Sequence, residues 1–177
     1  MDILISSNLE RLLYHISLGD SELVDSSMKQ LSQEGFYKMD KSEFKDFLGD
    51  YSTEDEVEAG IREVFEEYGY LMDTHTSVAY NVVQKYKLDY KDNTKTIIAS
   101  TASPFKFANT VAKSIGIDVD DKDEFAVIDE LSKKAKLKIP DAIDSLKNKE
   151  ILHNKTCNKE EMKKVVTMAL KVGGVND

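Results

Sequence analysis

The sequence predicts an α/β chain strongly dominated by helix, with an incomplete parallel-sheet remnant of about two strands under covering helices. Three observations lead there. Apolar residues recur at three- and four-residue spacing in seven separate stretches, the periodicity of buried helix faces. One short β-branched run, Thr96–Thr101, is the main strand signal. With only 8 Gly and 2 Pro in 177 residues, few positions break the helical pattern. That length suits one unit, 1–177, burying roughly two thirds of its unfolded surface.

Taken in order, Asp2–Ser6 is a weak strand candidate, and Leu9, Leu12, Leu13 and Ile16 form the first helical stripe. In Ser42–Leu48, Phe44, Phe47 and Leu48 share a helical face that turns Lys45 to solvent. Thr53, with Glu56 three residues on, has capping-box spacing and opens a helix with Ile61, Val64, Phe65 and Tyr68 inside. Glu54, Asp55, Glu56 and Glu58 suit the positive end of that helix rather than acid–base work. Asp73 or Thr74 caps the next helix, striped by Val78, Ala79, Val82, Val83 and Tyr86.

After a turn at Lys91–Asn93, Thr96–Thr101 reads as a strand buried on both faces. Ser103 and Pro104 then start a helix, since proline suits a first turn, and Phe107, Ala108, Val111, Ala112 and Ile115 continue it. Phe125, Ile128, Leu131 and Ala135 mark another, and Pro140 beside Asp141 suits a further first turn. Asn158, with Glu161 reaching back, caps the last helix, whose face carries Met162, Val165, Val166, Ala169 and Leu170 before Gly173 and Gly174 end it.

Lys and Arg number 24 against 33 Asp and Glu, a net charge of −9, which argues against a nucleic-acid binder relying on clustered cations. Apolar runs fall short of a membrane span, Cys157 has no internal disulfide partner, and Met1-Asp2 does not resemble a leader. A cytoplasmic, reducing compartment is the expectation. His15, His75 and His153 lack metal-type partners at ligand spacing, so no metal is expected.

The local arrangement richest in chemistry is the end of Thr96–Thr101. In open α/β sheets ligands collect at the carboxyl ends of strands, where Ser100, Thr101 and Ser103 would lie. These residues serve equally as ordinary turn and capping groups. Asp73 and His75 stand at the start of a helix, where a cap or a ligand contact are both open readings. Cys157, between Lys155 and Lys159, reads as a surface or boundary thiol, and His15 as a boundary histidine.

Three stretches in order carry a resemblance: Met1-Asp2-Ile3-Leu4-Ile5-Ser6-Ser7-Asn8-Leu9-Glu10-Arg11-Leu12-Leu13, Asp73-Thr74-His75-Thr76-Ser77-Val78-Ala79, and Ser100-Thr101-Ala102-Ser103-Pro104-Phe105-Lys106-Phe107. A weaker fourth is Ile151-Leu152-His153. Together they resemble the C-terminal part of the threonine synthase family, in its longer bacterial and fungal type. The resemblance implies the tryptophan synthase β-like fold and pyridoxal 5′-phosphate chemistry, turning O-phospho-L-homoserine and water into L-threonine and phosphate. It implies that Thr101, helped by Ser100, hydrogen-bonds the cofactor's pyridine nitrogen, with Asp73, His75 and Lys106 at the pocket edge. Thr74 departs from the proline usual in the second motif.

The family's Schiff-base lysine and glycine-rich phosphate loop belong upstream of what Met1 resembles, so no catalytic residue is expected in this chain and the chain alone is expected to be inactive. Phe44-Lys45-Asp46 repeats the letters around that lysine, but a solvent-facing Lys45 lacks the desolvated pocket an activated lysine needs. The expected partners are the missing N-terminal part and, through an unpaired sheet edge, a second copy. The alternative is a self-contained acidic helical module that binds a protein partner without catalysis.

Overall fold

A computed structural model describes residues 6–152 and 155–170. Residues 2–5 of the first strand candidate, His153, Gly173 and Gly174 lie outside them. The chain forms two compact units, one running up to Gly60 and including His75–Thr101, the other combining Ile61–Thr74 with the chain from Ala102 on.

In the first unit, α1 (Ser7–Ile16) follows the predicted stripe, with Leu13 buried against α2 (Ser21–Glu34), where Val24 and Ser27 are buried. α2 has both end signals: Asp20 Oδ1 accepts from the Leu23 amide at 2.9 Å, and Gly35 closes the helix at φ +80°, a conformation that favours glycine. A 3-10 turn, Lys41–Phe44, replaces the helical face expected in Ser42–Leu48. Asp40 caps this turn, while Phe47 and Leu48 are exposed because the turn ends before they can join Phe44 on one face. Lys45 is exposed.

α3 (Glu54–Tyr68) and α4 (Thr74–Tyr90) each cross between units, after Gly60 and after Thr74. The capping box opening α3 is formed: Thr53 N–H donates to Glu56 Oε2 at 2.8 Å and Glu56 N–H to Thr53 Oγ1 at 3.3 Å. Within the first unit α3 and α4 meet through polar groups. Ser77 Oγ donates to the Val57 carbonyl at 2.8 Å, and Asn81 Nδ2 to the Glu56 carbonyl at 2.9 Å and to Ser52 Oγ at 2.8 Å. One turn further on, Lys85 Nζ reaches the Tyr51 carbonyl at 2.8 Å and Glu56 Oε2 at 3.0 Å. Ser77, Asn81 and Lys85 are four residues apart and so share one face of α4. The apolar stripe read from the sequence, Val78 to Tyr86, is only half-buried, while Thr76 and Ser77 are buried.

Gly60 explains that inversion. A Cβ there would stand 2.8 Å from Ser77 Oγ and 2.7 Å from Asn81 Oδ1, so the helices approach as they do only because residue 60 has no side chain.

Thr96–Thr101 is not a strand. Among the described residues no strand forms at all, and the sheet remnant the sequence predicts is absent. The segment is irregular backbone and Ile97 is 95% exposed rather than buried on both faces. A β-branched run becomes a strand only by exchanging ladder hydrogen bonds with a neighbour, and none of the described segments provides one.

The second unit is built around aliphatic side chains. A 3-10 turn, Pro104–Phe107, leads into α5 (Ala108–Ser114), which packs on α6 (Glu124–Ala135). Ile61, Val111, Ala112, Val127 and Leu131 have no exposed surface. Arg62 Nε donates to the Ser114 carbonyl at 2.9 Å and Lys134 Nζ to the Ile115 carbonyl at 2.6 Å, satisfying acceptors left at the end of α5.

Pro140 stands at the cap position before α7 (Asp141–Asp144) rather than in its first turn. Lys147 pairs with Asp129 of α6 and Asp144 of α7, and those carboxylates, Asp129 foremost, raise its pKa. A 3-10 turn, Lys159–Glu161, precedes α8 (Met162–Leu170), and the predicted cap forms, with Asn158 N–H donating to Glu161 Oε2 at 3.1 Å. Met162, Val166, Met168 and Leu170 on α8 are exposed.

Candidate functional site

The first unit joins two of the sequence motifs. α4 opens with Thr74, His75 and Thr76, and Thr76 Oγ1 donates to Ser100 Oγ at 3.1 Å across 24 positions of sequence. Thr76 is buried, 5% exposed, and Ser100 and Thr101 are exposed. His75 is half-buried beside Thr76. The bond brings Ser100, the residue before Thr101, to the N-terminal turn of α4.

Further along that unit, Asp92 braces the start of the irregular segment. It accepts from Tyr86 Oη at 2.7 Å and the Thr94 amide at 2.8 Å. The Thr94 hydroxyl first, then Tyr86 and the Thr94 amide, lower its pKa to about 2. Tyr86 also stacks on Tyr90 with ring centres 4.9 Å apart. Glu56 is held below the ordinary carboxylate range by the Thr53 amide and then by Lys85.

The remaining candidates belong to the second unit. Asp73 occupies the cap position of α4 and is 1% exposed. Among the described residues every buried side-chain nitrogen and oxygen has a hydrogen-bond partner, so this carboxylate is a satisfied buried acid. Ser103 Oγ accepts from the Phe105 amide at 3.3 Å, capping the turn that Pro104 begins. Lys106 is exposed, its ammonium 5.3 Å from the centre of the Phe107 ring, a cation–π contact.

Sequence reasoning singled out Thr101, Ser100, Asp73, His75 and Lys106 and passed over Thr76. Its signal was a β-branched hydroxyl residue in a helix's first turn, which looks the same whether it serves the helix or a neighbouring segment. His15 and Cys157 are exposed, as boundary and surface groups would be. No cluster of potential metal ligands occurs among the described residues.

Residues 76–166 match the family described as "Threonine synthase, C-terminal". Threonine synthase of Saccharomyces cerevisiae is 34% identical over 135 residues, which cover 65% of this chain and 26% of the yeast protein. Human threonine synthase-like 1 is 33% identical over 122 residues, 66% of this chain and 16% of that protein. Among solved structures, yeast threonine synthase aligns at a TM-score of 0.52 and 33% identity over 78% of this chain and 31% of its own. Threonine synthase from Brucella melitensis, solved with PLP bound, aligns at 0.52 and 27% identity over 78% of this chain and 29% of its own. This chain therefore spans about a quarter of the yeast relative's length. The match over residues 76–166 is to the C-terminal part of such proteins. It belongs to the threonine synthase C-terminal family.

Proposed function

We propose that this chain is the C-terminal part of a pyridoxal 5′-phosphate enzyme that converts O-phospho-L-homoserine and water into L-threonine and phosphate. One observation carries the reading: the Thr76–Ser100 hydrogen bond joins two motif stretches that each resemble the family, and it does so beside His75.

The donor set fits the cofactor. Thr101 and Ser100 are exposed hydroxyls, able to donate to an aromatic ring nitrogen. Bound there, pyridoxal phosphate supplies an electron sink for carbanionic chemistry. Thr101 Oγ1 would hold the pyridine nitrogen by donating a hydrogen bond, and because a hydroxyl is far less acidic than a carboxyl it would keep its proton rather than pass it to the ring. By the family resemblance His75 stands at the edge of the cofactor's pocket, a position suited to orienting an anionic substrate. The lysine that binds the cofactor and the loop that holds its phosphate come from the preceding part of the enzyme. The chain alone is inactive, and the whole enzyme works in the cytoplasm.

The test compares this chain with the full-length protein. Phosphate release from O-phospho-L-homoserine is expected from the full-length protein only, and Thr101→Val there should weaken cofactor binding about three- to tenfold, the worth of one hydrogen bond. Release at an enzymatic rate by this chain alone would overturn the division of labour. A full-length protein indifferent to pyridoxal phosphate would favour the second reading, an acidic helical interaction module, which the all-helical secondary structure of the described residues and the net charge of −9 favour.

A further inference from the structure

We propose that Leu48, Asp50, Val82, Tyr86, Asp89 and Tyr90 form a socket on the first unit for one lysine side chain of the preceding part of the enzyme. The inference rests on the reading of this chain as a C-terminal part, and it adds the surface and the chemistry by which the two parts meet.

Two apolar faces that the sequence assigns to burial stay open here. Val82, Tyr86 and Tyr90 recur every four residues and share one face of α4, with Asp89 beside them. Val82 and Tyr86 are only half-buried, and Tyr90 is 61% exposed. Leu48, from the face expected in Ser42–Leu48, is 64% exposed. Together they line a cavity of about 120 Å³, room for one long side chain but not for a helix. Open apolar surface around a hollow of that size is what the centre of an interface presents to an anchoring side chain.

The lining selects the occupant. Tyr86 Oη is committed to Asp92 at 2.7 Å and its ring stacks on Tyr90, so Tyr86 offers a ligand its ring rather than its hydroxyl. Asp50 is held at the rim by the Tyr51 amide, which donates to its Oδ1 at 2.8 Å, and Asp89 adds a second carboxylate. Aromatic rings and carboxylates around an apolar floor suit a cation carried on an apolar stem. Two separate carboxylates match the compact ammonium of lysine, whereas the planar guanidinium of arginine pairs best with both oxygens of one. The neighbouring surface already uses this chemistry within the chain: Lys85 Nζ lies 5.2 Å from the centre of the Tyr51 ring and 3.0 Å from Glu56 Oε1.

Two observations point to the preceding part as the source of that lysine. The aligned stretch covers only 26% of the yeast relative, so under this reading a larger preceding part is present to cover the face. The net charge of −9 makes this chain a partner for cationic rather than anionic surface.

The full-length protein is treated with a carbodiimide, which joins a carboxylate directly to an amine, and the linked peptides are read by mass spectrometry. Asp50 or Asp89 is expected to be joined to a lysine of the preceding part. Hydroxyl-radical oxidation of Leu48 and Tyr90 is expected to be severalfold slower in the full-length protein than in this chain alone. Asp50→Lys with Asp89→Lys, both exposed positions, turns the charge of the socket against an ammonium and should bring oxidation in the full-length protein up towards that of the chain alone.

Links only to lysines of this chain, links between two copies of it, or equal oxidation of Leu48 and Tyr90 in the two proteins would overturn the proposal. Phosphate release from O-phospho-L-homoserine separates it from the reading it rests on. A full-length protein that is inactive yet linked keeps the socket and loses the enzyme assignment, whereas an active one with Leu48 and Tyr90 open keeps the assignment and loses the socket.

Discussion

In the unit made of Ile61–Thr74 and the chain from Ala102, Val111, Ala112, Val127 and Leu131 are shut away from water. In the unit that includes His75–Thr101, the most deeply buried side chain of α4 is a serine, and α4 meets residues 51–57 through hydrogen bonds to main-chain oxygens. Hydrophobic burial is strong but non-directional, and cores tolerate repacking. Hydrogen bonds contribute less each but fix distance and angle. Ser100 and Thr101, the hydroxyls proposed above to meet a ligand, belong to the hydrogen-bonded unit, where placement matters more than bulk stabilisation.

The largest break in this comparison should come from Leu131→Ala. Leu131 is fully buried in α6, and the substitution should cost about 2–5 kcal/mol through lost transfer energy and a residual cavity. Denaturant unfolding gives the magnitude, and amide exchange should show the loss in α5 and α6 rather than in α1 and α2. Equal loss in both places would mean that the contrast between the units does not govern their stability.

Gly60→Ala comes next. Alanine gains up to about 1 kcal/mol in helix propensity over glycine, but here its methyl meets Ser77 Oγ, which is committed to a hydrogen bond, and the amide of Asn81, whose Nδ2 is committed likewise. Overpacking of this kind costs about 1–3 kcal/mol, so a net destabilisation is expected in thermal melts. A stabilised variant would show that α3 and α4 can separate without penalty.

Thr53→Ala removes half of the capping box at α3 and should cost about 0.5–2 kcal/mol, most visibly as faster exchange in the first turn of that helix. The smallest effect concerns pH. Because the folded pKa of Asp92 is lowered to about 2, its ionised form stabilises the fold above about pH 4 and loses that contribution as pH falls from about 4 to about 2. Wild-type stability should therefore fall more steeply across that window than that of Asp92→Asn, measured by urea unfolding at each pH. Parallel slopes would remove Asp92 from the account of how the irregular segment is braced.

Most helices were legible because their apolar residues recur at helical spacing and their caps have the expected chemistry: Thr53 with Glu56, Ser103 before Pro104, Asn158 with Glu161. α2 was not legible, although Asp20 and Gly35 mark its ends, because Ser27 interrupts the buried stripe that Val24 begins. The same blindness to buried hydroxyls hid the α3–α4 contact, where a glycine selects small and polar partners instead of the valines of α4. Thr96–Thr101 misled in the opposite direction. Its β-branched composition reports what the segment could pair with, not whether a partner strand is present. At the candidate site, Ser100, Thr101 and His75 were readable as motif letters, whereas the tether from Thr76 depends on a turn of helix meeting a segment 24 residues away.

The oxygens that Ser77, Asn81 and Lys85 engage belong largely to the main chain, and every residue type carries one. Those three bonds would survive side-chain replacement at residues 51, 56 and 57, whereas residue 60 admits no side chain. A saturation scan of α3 should then show two kinds of intolerance side by side: position 60 refusing every side chain, and buried Val57 and Ile61 refusing only polar ones.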